Sequence, residues 1–469
     1  MDAHRPPPDA RPWHPAQGHS RRDVIRMIGG AAFAVPIASA LAGCGGQDTA
    51  STLRVSYQQF GSGQVMRNYI TEVARQFSQQ RPELAVDLVP LVAAENDYFT
   101  KNELMMSSPR TATDLVYEDT FILNSDVAAG YLRPIDDYLA DWPQWRYFQP
   151  VTRDAVKAED GKRYGVPTST DTRAIWYHSE LFRRAGLPVP WQPRTWADVL
   201  TAARTIKRRL PGVIPLNLYA SKASGEKTSM QGFEMLLYGT DSTLYDQDAR
   251  KWVLGSKGFL DSLGFVRTLF AEKLGPPLNS ALDPNLSEQI NNAWFPQGKI
   301  AMAVDGSWIS SAWREGASGE WPQAAQVMRM ARMPTQRGQA PGMVTLSGGW
   351  LWALPAKASR PDLAWELLKV LASTENMTDF TVADGNVTVR TDVAAQPAYR
   401  NGSPFIPFFT DLVKNTTYRP ALAPYPQVSN AIQIASESVM LGGSPAAAAK
   451  AYDSTVTGIV GPDQTMREA

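Results

Sequence analysis

The chain has 469 residues, of which 43% are hydrophobic, and this length is sufficient for two domains with packed cores. Its 46 basic and 46 acidic residues balance, and Lys and Arg are scattered without a basic block. Composition therefore argues against disorder over the whole length and gives no electrostatic basis for nucleic-acid binding, so a neutral or weakly charged ligand is favoured.

The first residues have the order of an export signal. Two consecutive arginines, Arg21 and Arg22, precede a mildly apolar run that is rich in Gly and Ala and shorter than the about 20 strongly apolar residues of a membrane span. The pattern resembles a twin-arginine signal that ends in a lipobox, Leu-Ala-Gly-Cys, at Cys44. We therefore expect residues 1–43 to be a cleaved signal peptide and residues 44–51 a tether. Lipid on Cys44 would anchor the exported protein to the outer face of the cytoplasmic membrane.

The next part of the chain has a β-α-β-α-β pattern, which is typical of a largely parallel sheet covered by helices. Its elements are a strand over 53–57, a helix over 65–78, a strand over 84–92, a further helix and a strand over 114–117. Open α/β sheets bind ligands beyond the carboxyl ends of their strands. Gln58 and residues 118–120 are expected at such positions.

The middle of the chain contains clear helix boundaries. An apolar strand is predicted over 174–177, and Ser179 is expected to cap a short helix that ends at Gly186. Thr195 precedes a second helix over 197–209. The stretch 225–229 faintly resembles a phosphate-binding loop but lacks the Gly directly before Lys, so that function is rejected.

The inventory of Cys and His excludes several kinds of site. Cys44 is the only cysteine, so no internal disulfide can form. His4, His14 and His19 precede it, which leaves His178 as the only histidine of the expected mature protein. One histidine and a lipidated cysteine cannot assemble a zinc site, and neither a metal nor another cofactor is predicted. No Gly-x-Ser-x-Gly motif accompanies His178, which is interpreted as an ordinary strand-end residue.

Several motifs occur in an order that resembles the family 1 extracellular solute-binding proteins, the sugar-binding class that includes maltose-binding protein. The most specific are DGKRYGVP at 160–167, DTRAIWYHSELFRRAGL at 171–187 and TWADVL at 195–200. Supporting motifs are FPQGKIAMAVDGSW at 295–308, SGGW at 347–350 and AWELLKVL at 364–371. The resemblance extends from about Leu53 to Val460. His178 stands where the family usually has Asn.

This resemblance implies an α/β fold of the type II periplasmic-binding-protein class, with two lobes and a hinged ligand cleft. Lobe one is expected over 52–166 plus 347–388, and lobe two over 170–344 plus 391–462. The chain is expected to cross between the lobes near residues 166–170, 344–348 and 387–391.

The resemblance also implies a function. The protein is expected to be a monomeric binding component of an ABC importer, with no enzymatic activity. It would bind a carbohydrate, expected to be a di- or oligosaccharide, between the lobes and deliver it to the permease subunits.

The cleft positions of the family match two tryptophans here, Trp308 and Trp350, which are candidates for stacking on a pyranose ring. Less favoured aromatic candidates are Trp294, Tyr219 and Tyr425. The polar residues expected around the ligand are Gln58, Glu118, Asp119, Asp171, Arg173 and Arg390. Gly349, with Gly348 beside it, is expected to let backbone amides approach the ligand, or simply to relax the hinge.

Alternatives remain open for several of these residues. Glu118 or Asp119 could cap the following helix. Arg173 and Arg390 could instead take part in salt bridges between the lobes. A receptor for a polyol phosphate or a glycerophosphodiester shares the fold and would need a basic pocket, for which Arg173, Arg390 and Arg419 are available. A glycoside hydrolase that uses Asp171 and Glu118 is the enzymatic alternative.

Overall fold

The computed structural model describes residues 52–59, 63–93 and 95–468. Residues 50–469 form one compact unit. The predicted signal peptide, the tether and Cys44 lie outside the described residues, so those expectations stay predictions. Within the described ranges, no helix combines the length and the apolarity that crossing a membrane requires.

Strands and helices alternate through much of the chain. The strands are β1 (Thr52–Gln59), β2 (Ala85–Val92), β3 (Leu115–Asp119), β4 (Gly165–Thr170), β5 (Arg173–His178), β6 (Ile214–Asn217), β7 (Tyr245–Asp246), β8 (Lys251–Leu254), β9 (Ile300–Gly306), β10 (Met328–Ala331), β11 (Leu346–Ser347), β12 (Gly349–Ala353), β13 (Thr417–Tyr418) and β14 (Thr465–Arg467). The helices up to residue 209 are α1 (Val65–Gln80), α2 (Glu95–Met106), α3 (Leu123–Ala128), α4 (Asp136–Ala140), α5 (Pro150–Asp154), α6 (Ser179–Ala185) and α7 (Trp196–Arg209).

Seven of the twelve later helices that the structure describes have seven residues or fewer. The twelve are α8 (Met235–Leu237), α9 (Lys257–Ala271), α10 (Leu278–Ala281), α11 (Leu286–Gln289), α12 (Ala324–Val327), α13 (Pro361–Leu371), α14 (Thr374–Asp384), α15 (Thr391–Ala395), α16 (Pro397–Asn401), α17 (Ile406–Leu412), α18 (Tyr425–Met440) and α19 (Pro445–Val460). This part of the chain also contains two π-helical segments, Thr228–Glu234 and Ile290–Trp294, and 3₁₀-helices at Lys222–Ser224, Ser307–Trp313, Val413–Asn415 and Pro462–Gln464.

Lobe one is built on a five-stranded sheet with the order β2-β1-β3-β12-β4. The pairs β1–β2 and β1–β3 are parallel, as the β-α-β-α-β pattern predicts, and β12 is antiparallel to both of its neighbours. Because side chains of a strand alternate between the two faces, Tyr117 and Trp352 enter one apolar cluster while Val116 and Leu351 enter the other. Helices α1 and α13 cover the first of these faces.

Lobe two is built on a four-stranded sheet with the order β10-β5-β9-β6. Strand β5 is antiparallel to β9 and β10, and β6 is parallel to β9. Alternation along β5 sends Ile175 and Tyr177 into one apolar cluster and Ala174 and Trp176 into another. Helix α18 packs against α9, α19 and the π-helical segment 228–234, and the Tyr425 ring at its start contacts Phe121, which follows β3 of lobe one.

The predicted local signals are largely confirmed. Thr195 caps α7 in a capping box with Asp198, and Gly186 ends α6 with a left-handed φ of 74°. The predicted cap at Ser179 is wrong. The cap is His178, whose Nδ1 accepts a hydrogen bond from the Leu181 amide, so His178 is the last residue of β5 and also the start of α6.

The chain passes between the sheets at three recognisable places. Residues 171–172 join β4 of lobe one to β5 of lobe two, and Gly348 separates β11 from β12. The third passage lies later than residues 387–391, where the sequence predicts it. Tyr399 still packs in the lobe-one cluster with α1 and α13, whereas Phe409 packs on Trp176 of lobe two. Helices α15 and α16 therefore pack on lobe one.

Candidate functional site

Charged residues meet where the passages between the lobes lie. Strand β3 ends at Asp119, Asp171 follows β4, and Arg419 follows β13 directly. A side chain at Gly348 would lie 3.5 Å from both Arg419 Nη2 and Asp171 Oδ2, and 3.6 Å from Arg173 Nη2. The two arginines and Asp171 are therefore grouped around one glycine at the junction of the two sheets.

The first ion pair at this junction joins Asp171 to Arg173, both nearly fully buried. Asp171 Oδ1 accepts hydrogen bonds from Arg173 Nη1 and, at 2.8 Å, from the Gly348 amide. Arg173 Nη1 also donates to the Leu346 carbonyl at 3.0 Å, and its Nε donates to Gln231 Oε1 at 3.3 Å. Asp171 thus connects the two passages 171–172 and 348 through its Oδ1, which accepts both hydrogen bonds.

The second ion pair network is centred on Arg419. Its Nη1 donates to Glu226 Oε1 at 2.9 Å, and its Nη2 donates to Asp119 Oδ1. Burial acts to lower the pKa of Arg419, but Asp119 and Glu226 outweigh it and raise that pKa above its ordinary value. The guanidinium also lies over the ring of Phe121, 4.6 Å from its centroid. Arg419 therefore stays charged between a lobe-one carboxylate and a lobe-two carboxylate.

A tyrosine links this network to a second buried glutamate. The Tyr425 hydroxyl lies 2.6 Å from Glu226 Oε1 and 2.7 Å from Glu234 Oε1. A hydroxyl has one hydrogen, so a carboxyl must donate one of these two hydrogen bonds. Burial is the main cause that raises the pKa of Glu234, and the charge of Glu226 adds to it. Tyr425 and Arg419 act in the opposite direction, and the resulting pKa is about 8. Glu234 is therefore the protonated acid at neutral pH, and Glu226 is the anion paired with Arg419.

Aromatic rings border this polar centre. Trp350 stacks on Tyr117 with centroids 4.8 Å apart and an interplanar angle of 10°, and it also contacts Phe99 at 6.0 Å. Trp308 lies under the Arg173 guanidinium at 5.0 Å. Both tryptophans are partly exposed, and Trp308 is in direct contact with a charged group of the junction.

Gly349 is explained by strand pairing. A Cβ at this position would lie 2.9 Å from the Ser169 carbonyl oxygen of the neighbouring strand β4. The glycine is thus required by the close approach of β12 and β4. Gly348 is the one of the two whose open side faces the charged centre.

Two predicted polar residues lie inside lobe one. Glu118 is fully buried and accepts a hydrogen bond from Asn102 at 2.9 Å, and burial raises its pKa well above the ordinary range, with Asp126 adding to the effect. The side chain of Gln58 is also buried, and among the described residues its Oε1 has no hydrogen-bond partner. The structure does not bring Glu118 into contact with Asp171, since the two belong to separate hydrogen-bond networks.

Arg390 has a structural environment within lobe one. Its side chain is 0% exposed, and it pairs with Asp392 while donating to Gln144 at 2.8 Å and to the Ala372 carbonyl at 2.6 Å. Arg390 therefore does not form a salt bridge between the lobes, because its partners Asp392, Gln144 and Ala372 all belong to lobe one. Arg390 thus fixes α15 to lobe one and does not join Arg173 at the junction.

The remaining aromatic candidates pack within lobe two, apart from Tyr425. Trp294 packs against the cluster around Trp176 and Trp313, and Tyr219 is buried with its hydroxyl donating to Asp305 Oδ2 at 2.9 Å. Burial raises the pKa of Asp305 to about 6. These two rings serve the core of lobe two in the arrangement described.

Sequence reasoning missed the carboxylates of the π-helical region. Glu226 and Glu234 were not predicted, although Glu234 stands as a lone acid in the apolar run of residues 230–237. That run was the available signal, because a carboxyl among buried apolar residues needs a partner or a proton. π-Helical segments are frequent at functional sites, and Gly232 permits this one to approach the Tyr219 carbonyl, where a Cβ would lie at 1.9 Å.

Two further observations limit what the site can be. Over the residues that the structure describes, no cluster of His, Cys, Asp and Glu is arranged to hold a metal ion. A cavity of about 290 Å³ lies beside α14 and is lined by Trp313 and Trp321, but none of the predicted site residues borders it. The charged junction around Gly348 is therefore the candidate site, on the basis of its chemistry and not of cavity size.

Comparisons with known proteins agree with this architecture. Relatives include a binding protein of Brucella abortus strain 2308, 24% identical over 385 residues that cover 81% of this chain and 87% of the relative. The mannitol-binding protein of Pseudomonas aeruginosa is 26% identical over 352 residues, or 73% of this chain and 75% of that protein.

A solved structure shows the same fold. It is an ABC transporter solute binding protein from Thermotoga lettingae bound with alpha-D-tagatose, with a TM-score of 0.75, 22% identity, and coverage of 87% of this chain and 99% of the other. This likeness confirms the predicted two-lobe periplasmic-binding-protein fold. The family model of the bacterial extracellular solute-binding proteins matches residues 61–378, more than half of the chain. The protein therefore belongs to the bacterial extracellular solute-binding protein family.

Proposed function

We propose that this protein is the extracytoplasmic substrate-binding component of an ABC importer, and that it binds a neutral carbohydrate or sugar alcohol between its lobes. The choice of a neutral ligand depends on one observation. Both arginines at the junction are already compensated, Arg173 by Asp171 and Arg419 by Asp119 and Glu226. An anionic ligand would have to displace one of these carboxylates, so the polyol phosphate receptor is not favoured.

The aromatic residues support a polyhydroxylated ligand. A sugar has apolar C–H faces and a ring of hydroxyls. Trp308 is partly exposed and lies against the buried Arg173, and Trp350 is partly exposed and stacks on Tyr117. Hydroxyls hydrogen-bonded to charged groups form stronger bonds than neutral pairs do. This combination suits recognition of a neutral compound through many hydroxyls.

The relatives support the same chemical class. The Pseudomonas aeruginosa relative is a mannitol-binding protein, and the Thermotoga lettingae structure contains alpha-D-tagatose. Both ligands are six-carbon compounds, whereas the sequence favours a di- or oligosaccharide. We therefore propose the class of neutral sugars and sugar alcohols, with the size of the ligand to be decided by measurement.

We further propose that the protein acts outside the cytoplasm as a monomer, anchored through lipid on Cys44, and that it delivers its ligand to permease subunits. Binding is favoured over catalysis because the two carboxyls of the hydrolase alternative are held apart. Asp171 is paired with Arg173 and the Gly348 amide, and Glu118 is buried against Asn102. Glycoside hydrolysis needs two carboxyls that face the same bond.

The test is a thermal-shift panel on the purified chain with D-mannitol, alpha-D-tagatose, maltose and glycerol 3-phosphate at low and high NaCl. A ligand at a hundred times its Kd adds about 2.7 kcal/mol of stability. We expect a shift with a neutral compound that is nearly independent of salt, since no ion pair with the ligand is screened. A shift confined to glycerol 3-phosphate, and reduced by salt, would reject the neutral ligand.

A further inference from the structure

Arg419 connects the two lobes directly. It belongs to the segment that leads into α18 of lobe two, and its side chain is 4% exposed. On the lobe-two side it donates to Glu226, which also accepts hydrogen bonds from Tyr425 and Ser429. On the lobe-one side it donates to Asp119 and lies over Phe121. One cation is thus shared by carboxylates of both lobes.

The two sides hold Arg419 unequally. Glu226 is fixed within lobe two by its own hydrogen bonds, so this carboxylate and Arg419 stay together when the lobes separate. The contact with Asp119 joins different lobes, so any opening that moves the end of β3 away from residue 419 breaks it. The free energy of the Arg419–Asp119 pair is consequently available only to the closed arrangement.

Two other contacts accompany this pair across the same surface. The Asn124 side-chain amide donates to the Ala421 carbonyl, two residues after Arg419. The Phe121 and Tyr425 rings meet edge to face, with centroids 6.1 Å apart and an interplanar angle of 73°. The start of α3 in lobe one and the segment before α18 in lobe two therefore form one continuous contact.

We propose that Arg419 is a positioning residue that holds the lobes closed through Asp119 before any ligand is bound. A sugar would then meet a protein whose closed form is already populated, and its apparent affinity would depend on that population. The effect on affinity rests on the proposed function, whereas the effect on lobe closure does not. Arg419 acts through the lobe equilibrium in this proposal, and a contact of its own with the ligand is not required.

The proposal can be tested without a ligand by measuring the distance between the lobes. Two exposed residues suit labelling: Leu104 on α2 of lobe one, 66% exposed, and Ile434 on α18 of lobe two, 52% exposed. Because Cys44 is the only cysteine, a Cys44→Ser background allows spin labels at Leu104→Cys and Ile434→Cys alone. Pulsed electron paramagnetic resonance then gives the distribution of inter-lobe distances for the full chain.

We expect Arg419→Gln and Asp119→Ser each to reduce the ratio of closed to open molecules by about tenfold or more, the range expected for one charge-assisted hydrogen bond. The double variant should show little further change, because both substitutions remove the same contact. Arg204→Gln is the matched control. Arg204 forms a two-pronged pair with Glu272 inside lobe two, at 2.7 Å for each hydrogen bond, so its loss should leave the distances unchanged.

Asp119→Ser keeps the test decisive if Arg419→Gln fails to fold. The Ser hydroxyl can still accept a hydrogen bond from the Phe121 amide, which Asp119 accepts at 3.0 Å, but it is too short to reach Arg419. A folded Asp119→Ser protein with the distance distribution of the parent chain would overturn the proposal. A distribution in the unliganded parent chain that lacks the closed distance would also overturn it. Failure of every sugar in the panel to bind would reject the proposed function and would leave this distance measurement unaffected.

Discussion

The Tyr425 hydroxyl lies 2.7 Å from Glu234 Oε1, and its single hydrogen is already needed for Glu226 at 2.6 Å. The Glu234 carboxyl must therefore donate, and burial raises its pKa to about 8. A chain of hydrogen bonds runs from this proton through Tyr425 and Glu226 to Arg419 and Asp119. Protonation inside lobe two is thus linked to the contact between the lobes.

This relationship predicts a specific dependence on pH. The folded chain keeps the Glu234 proton up to about pH 8, whereas the unfolded chain loses it near pH 4.5, so Glu234 makes the native state less stable as pH rises through that interval. Glu234→Gln keeps a neutral hydrogen-bond donor towards Tyr425 and cannot ionise, so the variant should not lose stability as pH rises through this interval. We expect the free energy of unfolding of the variant, relative to the parent, to increase by about 1–4 kcal/mol between pH 5 and pH 9. Urea unfolding at several pH values measures it, and a constant difference would show that Glu234 is ionised throughout.

Trp350 should contribute both to binding and to stability. Its ring stacks on Tyr117 and contacts Phe99, so Trp350→Ala removes core packing as well as ring surface that a ligand would use. We expect a loss of about 2–4 kcal/mol in unfolding free energy and of about 1–3 kcal/mol in binding. Trp350→Phe is the control, since it keeps an aromatic face. Calorimetry with the neutral ligand found in the thermal-shift panel would separate the effects, and unchanged affinity in Trp350→Ala would restrict this residue to the core.

Gly306 should be essential for the placement of Trp308. A Cβ at this glycine would lie 1.9 Å from an atom of the Trp308 ring. The same ring also contacts the Arg173 guanidinium. Gly306→Ala must displace the ring, and we expect it to cost about 1–3 kcal/mol of stability. Gly264→Ala in α9 is the matched control, because a Cβ there meets no atom within 4 Å and should be neutral or stabilising. Equal urea midpoints for the two variants would show that Trp308 can move at no cost.

The lipid anchor predicted from the sequence can be tested in cells. Cys44→Ser removes the only sulfur that could be acylated, so the exported chain should move from the membrane fraction to the soluble fraction. Replacing Arg21 and Arg22 by lysine should reduce export itself, which serves as the control for a defect in translocation. Membrane association that persists in Cys44→Ser would exclude anchoring through this residue.

Local sequence patterns were sufficient for the first five elements of lobe one and for most of the boundaries in the middle of the chain. Alternation of apolar residues marks β1 and a continuous apolar run marks β5, and the capping box at Thr195 and the glycine at Gly186 mark helix ends. These signals succeed because they depend on residues a few positions apart, where backbone geometry alone fixes the contacts. The resemblance to the family predicted the two-lobe fold because its motifs are likewise short contiguous stretches, which can be recognised without knowledge of tertiary contacts.

Tertiary structure alone decided how the charged residues are paired. Arg419 and Asp119 are 300 positions apart, and Tyr425 and Glu226 are 199 apart, so no local pattern relates them. Arg390, which the sequence places at the cleft, pairs instead with Asp392 two residues away, and Asp171 is occupied by Arg173 and a backbone amide. A buried charge must take the nearest partner that packing provides. Sequence therefore determined the fold and the kinds of residue at the junction, whereas their partners followed only from the way in which the two lobes pack.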